Sequence, residues 1–296
     1  MKPIAQPIPA EALASEFNQI EPLKAFRGLE IYQLHGDECP NIMLEIGRIR
    51  ELVFRQAGAG RGEERDLDSL DTGALGYLQL VVWDPVNLQI VALYRFQKGE
   101  HAVEGGDAWL RTSTLFDYSD EFRSKWLPNA IELGRSVVNP EAKKKTLGFF
   151  AVWQGLGALI QAYPQMSCFF GNVTLYKTLG EDVLNTIVGY CETWYAPTTP
   201  LLTAKSGLQF SSRSEVAKAV QQVDSESSNQ RIQRLKEALD ALGERVPPIL
   251  QSYMGLGANI YMGQTALDAD FGEAFELGIV VPIKAIPAEV LEKFTR

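Results

Sequence analysis

The order of segments in this chain predicts a mixed α/β or α+β domain built around one sheet. Two apolar runs, YLQLVVWD from Tyr77 and IVALYRFQKG from Ile90, flank Pro85-Val86-Asn87 and read as a β-hairpin. Further apolar runs at Ala130–Val138 and Ser167–Leu175 read as strands on either side of a long apolar helix candidate that ends at Pro164. Amphipathic helical spacing recurs at Asn41–Ala57 and Gly180–Tyr195.

Taken in order, residues 1–30 read as an N-terminal arm that passes into a short helix, and 31–296 as a single domain. Ile31–Leu34 is a short strand candidate. In NIMLEIGRIRELVFRQA, Ile42, Ile46, Ile49, Val53 and Phe54 recur near helical spacing, and Asn41 after Pro40 is the expected cap. Gly58–Asp71 is glycine-rich and then charged. No GK[ST] follows and no strand precedes it, so it reads as a flexible substrate-covering loop rather than a phosphate loop. Leu110–Leu115 supplies a strand, with a helix at Ser119–Trp126. Thr198–Asn229, rich in Ser, Thr and Gln, is an excursion at about 198–230. Arg231–Leu242 is a charged amphipathic helix ending at Gly243, and the closing segment from PPILQSYMGLGANIYMG to LGIVVPIK reads as strand, turn, strand.

Composition bounds the function. With 296 residues, 46% of them hydrophobic, the chain can bury one large core or two modest ones. A formal net charge of -9 argues against a nucleic-acid partner, which needs a basic face. Small molecules, acidic carrier proteins met through local basic patches, and lipid surfaces remain. Cys39, Cys168 and Cys191 are widely spaced without a CxxC, which disfavours a disulfide framework or zinc site and fits a reducing cytoplasm. The first residues lack the apolar core of a signal peptide, so an exported or anchored N-terminus is not expected. Thr146–Tyr163 is punctuated by Gly148, Gln154, Gly155, Gly157 and Gln161 and reads as a buried helix rather than a membrane span.

The stretch from Leu127 to Pro164 carries the chemistry. A strand with Glu132 and Arg135 stops at Asn139-Pro140, a triple lysine follows, and then the long helix begins. Such an entrance suits an anionic ligand, because the first N–H groups of a helix and the positive end of its dipole point outward there. Residues three apart in a regular strand face opposite sides. For Glu132 and Arg135 to serve one site, the strand must therefore twist or bulge, as at Gly134, or Arg135 must work from behind.

Several motifs in fixed order carry a family resemblance: Arg50 and Phe54 in RELVF, Asp68 and Asp71 in DLDSLD, Arg95 in LYRF, Glu132 and Arg135 in ELGRSVV, then CFFGNVTL and PPILQSYMGLGANIYMG. With this ordered RxxxF, DxxD, R, ExxR set, the chain resembles the acyl-carrier-protein-dependent N-acyltransferases of the GNAT superfamily. The branch is the hemolysin-like or ornithine/glycine-lipid one, with a more distant likeness to acyl-homoserine-lactone synthases. The resemblance spans roughly residues 30 to 282. It implies a GNAT fold, a mixed twisted sheet flanked by helices whose central strands splay to admit a pantetheine arm. It also implies transfer of a long, 3-hydroxylated or plain, acyl chain from acyl carrier protein to a small amino acid in aminolipid synthesis. Where coenzyme-A-binding members carry Q/R-x-x-G-x-G/A, this chain has PEAKKKTLG. That departure favours an acyl-phosphopantetheine donor on the carrier protein over acyl-CoA, with Lys143, Lys144 and Lys145 meeting the acidic carrier and no permanently bound cofactor.

Acyl transfer to an amine needs a group to take the amine's proton. Glu132 is the base candidate; the alternative is a structural ion pair with Arg135 or Arg50. Arg50, Arg95 and Arg135 are expected to form a network with Asp68 and Asp71, either shaping the acceptor pocket and pairing a substrate carboxylate or only holding the fold. Asp68 and Asp71 have a simple loop-capping alternative. The lysine triplet has a plain solvated helix start as its alternative. Phe149, Phe150, Trp153 and Leu156 read as core or as an acyl-tunnel lining. Neither His35 nor His101 starts an HxxxxD motif, and no GxSxG nucleophile elbow occurs. Cys168 and Cys191 read as inert core thiols, and no metal-ligand spacing appears. The leading expectation is a cytoplasmic N-acyltransferase, with membrane-peripheral placement as a variant. An acyl-CoA-dependent enzyme acting on another amine and a non-catalytic lipid- or partner-binding module are the alternatives.

Overall fold

The computed structural model describes residues 1–206, 228–257 and 260–296, which divide into two compact units. Unit 1 comprises Met1–Arg111, Ile131–Met166 and Leu291–Arg296; unit 2 comprises Thr112–Ala130 and Ser167–Val290. Among the described residues no helix is long and apolar enough to cross a membrane.

Unit 1 begins with helix α1 (Ala10–Phe17), then strands β1 (Lys24–Phe26) and β2 (Leu29–His35), which pair across the two-residue turn Arg27-Gly28. Both turn residues have positive φ, +51° and +75°, the geometry that lets a two-residue turn follow the twist of its strands. Helix α2 (Pro40–Gln56) is as expected except at its cap. Asn41 is not the cap; the Glu16 carboxylate of α1 accepts from the backbone N–H of Asn41 and Ile42 at 3.0 and 2.8 Å. A neighbouring helix thus satisfies the free donors of this helix end.

The glycine loop after α2 is anchored rather than loose. Glu51, fully buried, accepts from Arg55 and from the backbone N–H of Arg61 and Gly62 at 2.7, 3.1 and 2.8 Å, and Lys2 N–H donates to the Gly62 carbonyl at 2.8 Å. Strands β3 (Leu78–Asp84) and β4 (Gln89–Lys98) form the expected hairpin. The Asp84 carboxylate holds its turn by accepting from Val86 N–H at 3.1 Å and from the Asn87 amide at 2.7 Å. A short helix α3 (Gly99–Gly105) follows. Strand β6 (Ala130–Val138) pairs with β4, giving the antiparallel order β1-β2-β3-β4-β6 in this unit; the intervening strand β5 (Phe116–Tyr118) belongs to unit 2.

Helix α4 (Lys145–Ala162) lies on β1–β4 and buries residues around most of its circumference, which explains its apolar sequence. Close approach rests on glycine. A Cβ at Gly148 would sit 2.5 Å from Val91 Cγ1, and one at Gly157 would sit 2.1 Å from the carbonyl oxygen of Phe294. Trp153 and Leu156 are core, with Trp153 tilted against Phe294 at 5.5 Å between ring centroids, whereas Phe150 is 58% exposed.

In unit 2, Leu110–Leu115 is not a strand: Arg111–Thr114 forms a 3-10 turn, and the strand β5 (Phe116–Tyr118) comes after it. Thr112 lies buried in this turn, with its hydroxyl hydrogen-bonded to that of Tyr118 at 2.7 Å. β5 pairs with β8 (Leu202–Ala204), so the predicted excursion contributes a strand; residues 207–227 of it lie outside the described residues. Strand β7 (Cys168–Leu175), helix α5 (Glu181–Tyr195), helix α6 (Ser228–Asp240), and strands β9 (Tyr261–Asp268) and β10 (Ala274–Pro282) complete the unit in the antiparallel order β7-β10-β9. The closing segment differs from the expected strand, turn, strand. Pro248–Met254 is a helix, α7, with Pro248 in its first turn, where a missing N–H costs nothing. Helix α8 (Ala288–Thr295) ends the chain.

The contact of Gly157 with backbone gives a direct test. Gly157→Ala is expected to destabilise the protein by about 1–3 kcal/mol, because the obstructing atom is a carbonyl that cannot rotate away. Gly134→Ala, with nothing within 4 Å of the added carbon, is the control and should leave the urea midpoint unchanged or slightly raised.

Candidate active site

Four pieces of unit 1 meet in a buried polar cluster. Helix α2 supplies Arg50 and, one turn on, Phe54; the loop before β3 supplies Asp66, Asp68 and Asp71; β3 and β4 supply Gln79 and Arg95 from paired positions; and β6 supplies Glu132 and Arg135. Arg50 and Arg95 are 0% and 1% exposed, and Asp66, Asp71 and Glu132 are each 1%.

The loop presents its carboxylates by local hydrogen bonding. Asp71 Oδ2 accepts from Asp68 N–H at 3.0 Å, and Asp68 Oδ1 accepts from Leu70 N–H at 2.9 Å. Asp68 and Asp71 therefore cap a turn, as the simple alternative had it, and their remaining oxygens turn to the arginines. Asp71 Oδ1 receives Arg50 Nη1 at 2.9 Å and Arg95 Nη1 at 3.1 Å; Arg95 Nη1 also lies 3.0 Å from Asp68 Oδ1. Arg50 Nη2 donates to Gln79 Oε1 at 2.6 Å.

A bulge resolves the face problem posed by Glu132 and Arg135. Arg95 pairs with Gly134 and Leu93 with Val137, so Arg135 and Ser136 together oppose Tyr94. Arg135 takes φ +54°, a left-handed conformation rare outside glycine, and its guanidinium reaches Asp66, with Nε 2.8 Å from Oδ2. The bulge is thus at Arg135–Ser136, one step beyond Gly134. The Arg135 guanidinium also stands 5.4 Å from the centre of the Phe54 ring.

The Glu132 carboxylate accepts from the Tyr77 hydroxyl, and Arg111 N–H lies 3.2 Å from Oε2 and donates to the Tyr77 oxygen at 2.8 Å. The Tyr77 ring lies under the Arg95 guanidinium at 4.6 Å, which joins the carboxylate to the arginine–aspartate cluster.

The guanidiniums of Arg50, Arg95 and Arg135 face Asp66, Asp68 and Asp71, and Arg61 Nη1 stands 3.8 Å from Asp68 Oδ2. Burial alone would raise the Asp71 carboxyl pKa, but Arg50 and Arg95 outweigh it and hold that carboxyl well below the usual carboxylate range. Burial likewise lowers Arg95, yet Asp71, Asp68 and Asp66 leave it raised. For Arg135, burial dominates, Asp66 opposes it, and the like charges of Arg95 and Arg50 add to the lowering.

Other expected residues lie elsewhere. Lys144 pairs with the buried Asp84 at 3.1 Å, and Lys145 reaches back toward the Pro140 carbonyl at 3.5 Å, leaving Lys143 and Lys145 as the exposed lysines of the triplet. Burial pushes the thiols of Cys39 up to about 11 and of Cys168 and Cys191 up to about 12, so all three are poor nucleophiles. Among the described residues no group of three or more His, Cys, Asp and Glu side chains is placed to hold a metal ion. Sequence reasoning missed Asp66, Gln79 and Tyr77. Gln79 left one signal, a lone amide inside the otherwise apolar YLQLVVW.

An Acetyltransferase (GNAT) domain model matches residues 49–153. A glycine N(alpha)-acyltransferase of Bacteroides thetaiotaomicron is 33% identical over 97% of this chain and 87% of its own length. One of Phocaeicola vulgatus is 32% identical over 97% and 90%. Among solved structures, a CoA-dependent acyl-homoserine lactone synthase with SAM and isopentyl-CoA aligns with TM-score 0.43 and 10% identity, over 90% of this chain and 88% of that one.

The arginine–aspartate cluster predicts a pH signature. Asp71 stays ionised in the folded chain at pH values where it protonates in the unfolded one, so stability falls as pH drops below about 4. Asp71→Asn leaves Arg50 and Arg95 short of a counter-charge. It should cost about 3–5 kcal/mol at neutral pH and flatten the acid-side decline, as read from denaturant melts at a series of pH values.

Proposed function

The chain belongs to the family of the glycine N(alpha)-acyltransferases and is an acyltransferase, and on that premise we propose that it transfers a long acyl chain from acyl carrier protein to the amine of glycine or a similarly small amino acid. The product is a lyso-aminolipid made in the cytoplasm, beside the membrane that receives it. The observation that carries the reading is the buried Glu132 carboxylate, oriented by hydrogen bonds beside the arginine–aspartate cluster.

In this reading the neutral amine attacks the thioester carbonyl carbon. The C–N bond forms, the C–S bond breaks, the amine proton passes to Glu132 directly or through one water, and the phosphopantetheine sulfur leaves as thiolate and is then protonated. Arg135, reaching Asp66 through the bulge, is assigned to the catalytic strand. Arg50, Phe54, Asp68, Asp71 and Arg95 form the acceptor side. Because their charges are mutually satisfied, they shape and fix that side, and a substrate carboxylate enters by exchange with one of the aspartates rather than by filling an open positive site.

Carrier-borne phosphopantetheine is favoured over free CoA by the turn before α4. Lys144 is committed to Asp84 and Glu141 to Arg48 at 3.0 Å, so two of the charged side chains of this turn are already engaged. Lys143 and Lys145 face outward, where an acidic carrier can meet them.

The test incubates the pure protein with acyl-acyl carrier protein or acyl-CoA and a panel of amino acids, with products read by mass spectrometry. Acylglycine from the carrier-borne donor is expected; a folded protein that acylates no amino acid from either donor refutes the reading. Glu132→Gln should lower kcat by about 10²–10⁴-fold with an unchanged melting temperature. Loss of stability with activity retained would assign Glu132 to the fold instead.

A further inference from the structure

Tyr77 lies between the proposed base and the arginine–aspartate cluster and touches both. It is 1% exposed and occupies the last position before β3. Its N–H donates to the Leu70 carbonyl at 2.7 Å, and its carbonyl accepts from the Gln79 amide at 3.2 Å. The backbone at Tyr77 is therefore tied to the loop that carries Asp68 and Asp71. Arg95, itself bonded to both aspartates, covers the ring at 4.6 Å.

The hydroxyl has one proton and must place it. Arg111 N–H can only donate, and it points at the Tyr77 oxygen at 2.8 Å, so that oxygen is the acceptor in this contact. The phenolic proton is left for Glu132 Oε2, a carboxylate oxygen that can only accept when ionised. The direction of the chain is fixed: Arg111 N–H to Tyr77 oxygen, Tyr77 hydroxyl to Glu132, with a second branch from Arg111 N–H to Glu132 at 3.2 Å.

We propose that Tyr77 is a positioning residue for the acyl transfer: its ring is clamped by the acceptor-side cluster through Arg95, and its hydroxyl fixes the carboxylate of Glu132. This rests on the reading of Glu132 as the base. Through Tyr77, a rearrangement of Asp68 and Asp71 around an incoming acceptor reaches the base, with Arg95 and the Tyr77 ring as the moving contact. Side-chain torsions of Glu132 that would otherwise be sampled on its strand are restricted to the one that meets the phenol.

Phenylalanine keeps the ring under Arg95 and deletes only the hydroxyl, and Glu132 retains the branch from Arg111 N–H, so Tyr77→Phe is the fitting variant. The full-length wild type, once shown to turn over in the acyl-transfer assay, is compared with Tyr77→Phe, Glu132→Gln and the double variant for kcat, KM and melting temperature. Tyr77→Phe should lower kcat about tenfold or more with KM for the acyl donor little changed, and the double variant should be no slower than Glu132→Gln alone, since Tyr77 acts only through that carboxylate. A Tyr77→Phe enzyme with wild-type kcat overturns the proposal. So does a double variant whose loss is the product of the two single losses, which marks Tyr77 as an independent structural residue. An inactive wild type counts against the acyltransfer reading instead, so the two failures are distinguishable.

Discussion

The guanidiniums of Arg50 and Arg95 are buried in unit 1 against a single oxygen, Oδ1 of Asp71, at 2.9 and 3.1 Å, and the structure around them follows from that demand. An unpaired guanidinium at such depth costs several kcal/mol, so the aspartate must be held without freedom to turn away. The loop supplies this restraint through its own backbone, with Asp68 N–H on the second oxygen of Asp71. Helix α2 must then present Arg50 toward that loop, and β3 must offer an amide, Gln79, to the remaining guanidinium nitrogen. Polar groups that are each fully engaged are more a specification of geometry than a source of stability.

Glu132, the proposed base, is buried and receives the Tyr77 hydroxyl and the Arg111 N–H. Tyr77, stacked under Arg95, joins that carboxylate to the charged cluster. The sheet fixes their spacing: Gln79 stands opposite Arg95 across β3 and β4, and Arg95 opposite Gly134 and Gln97 opposite Glu132 across β4 and β6, while α4 packs close on β1–β4 through its glycines.

Much of unit 1 was legible because its signals are local. The β3–β4 hairpin showed in two apolar runs around Pro85-Val86-Asn87, and α2 in the spacing of its isoleucines. The expected network of arginines with Asp68 and Asp71 also forms. What stayed hidden depends on distant partners. Glu16 caps α2 from another helix, and Glu51 holds the glycine loop from within α2. Strand β1 is three residues long, its only mark the Arg27-Gly28 turn. Tyr77 reads in sequence as one more aromatic in an apolar strand; only packing reveals where its hydroxyl goes. PPILQSYM reads in sequence as part of a strand, yet its proline suits a helix's first turn, and the helix forms.

The bulge at Arg135–Ser136 makes β6 a strand whose length is counted. Side chains alternate along a strand, and the bulge lets Arg135 and Ser136 share the place opposite Tyr94. Taking one of the two away leaves Gly134 opposite Arg95 and Val137 opposite Leu93, so both ends of β6 keep their partners, but the regular ladder that remains has no place for the left-handed backbone of Arg135. What such a deletion removes is the local turn of the chain that carries the Arg135 guanidinium to Asp66. The length of this segment, as much as the letters within it, is part of what brings that guanidinium to the cluster.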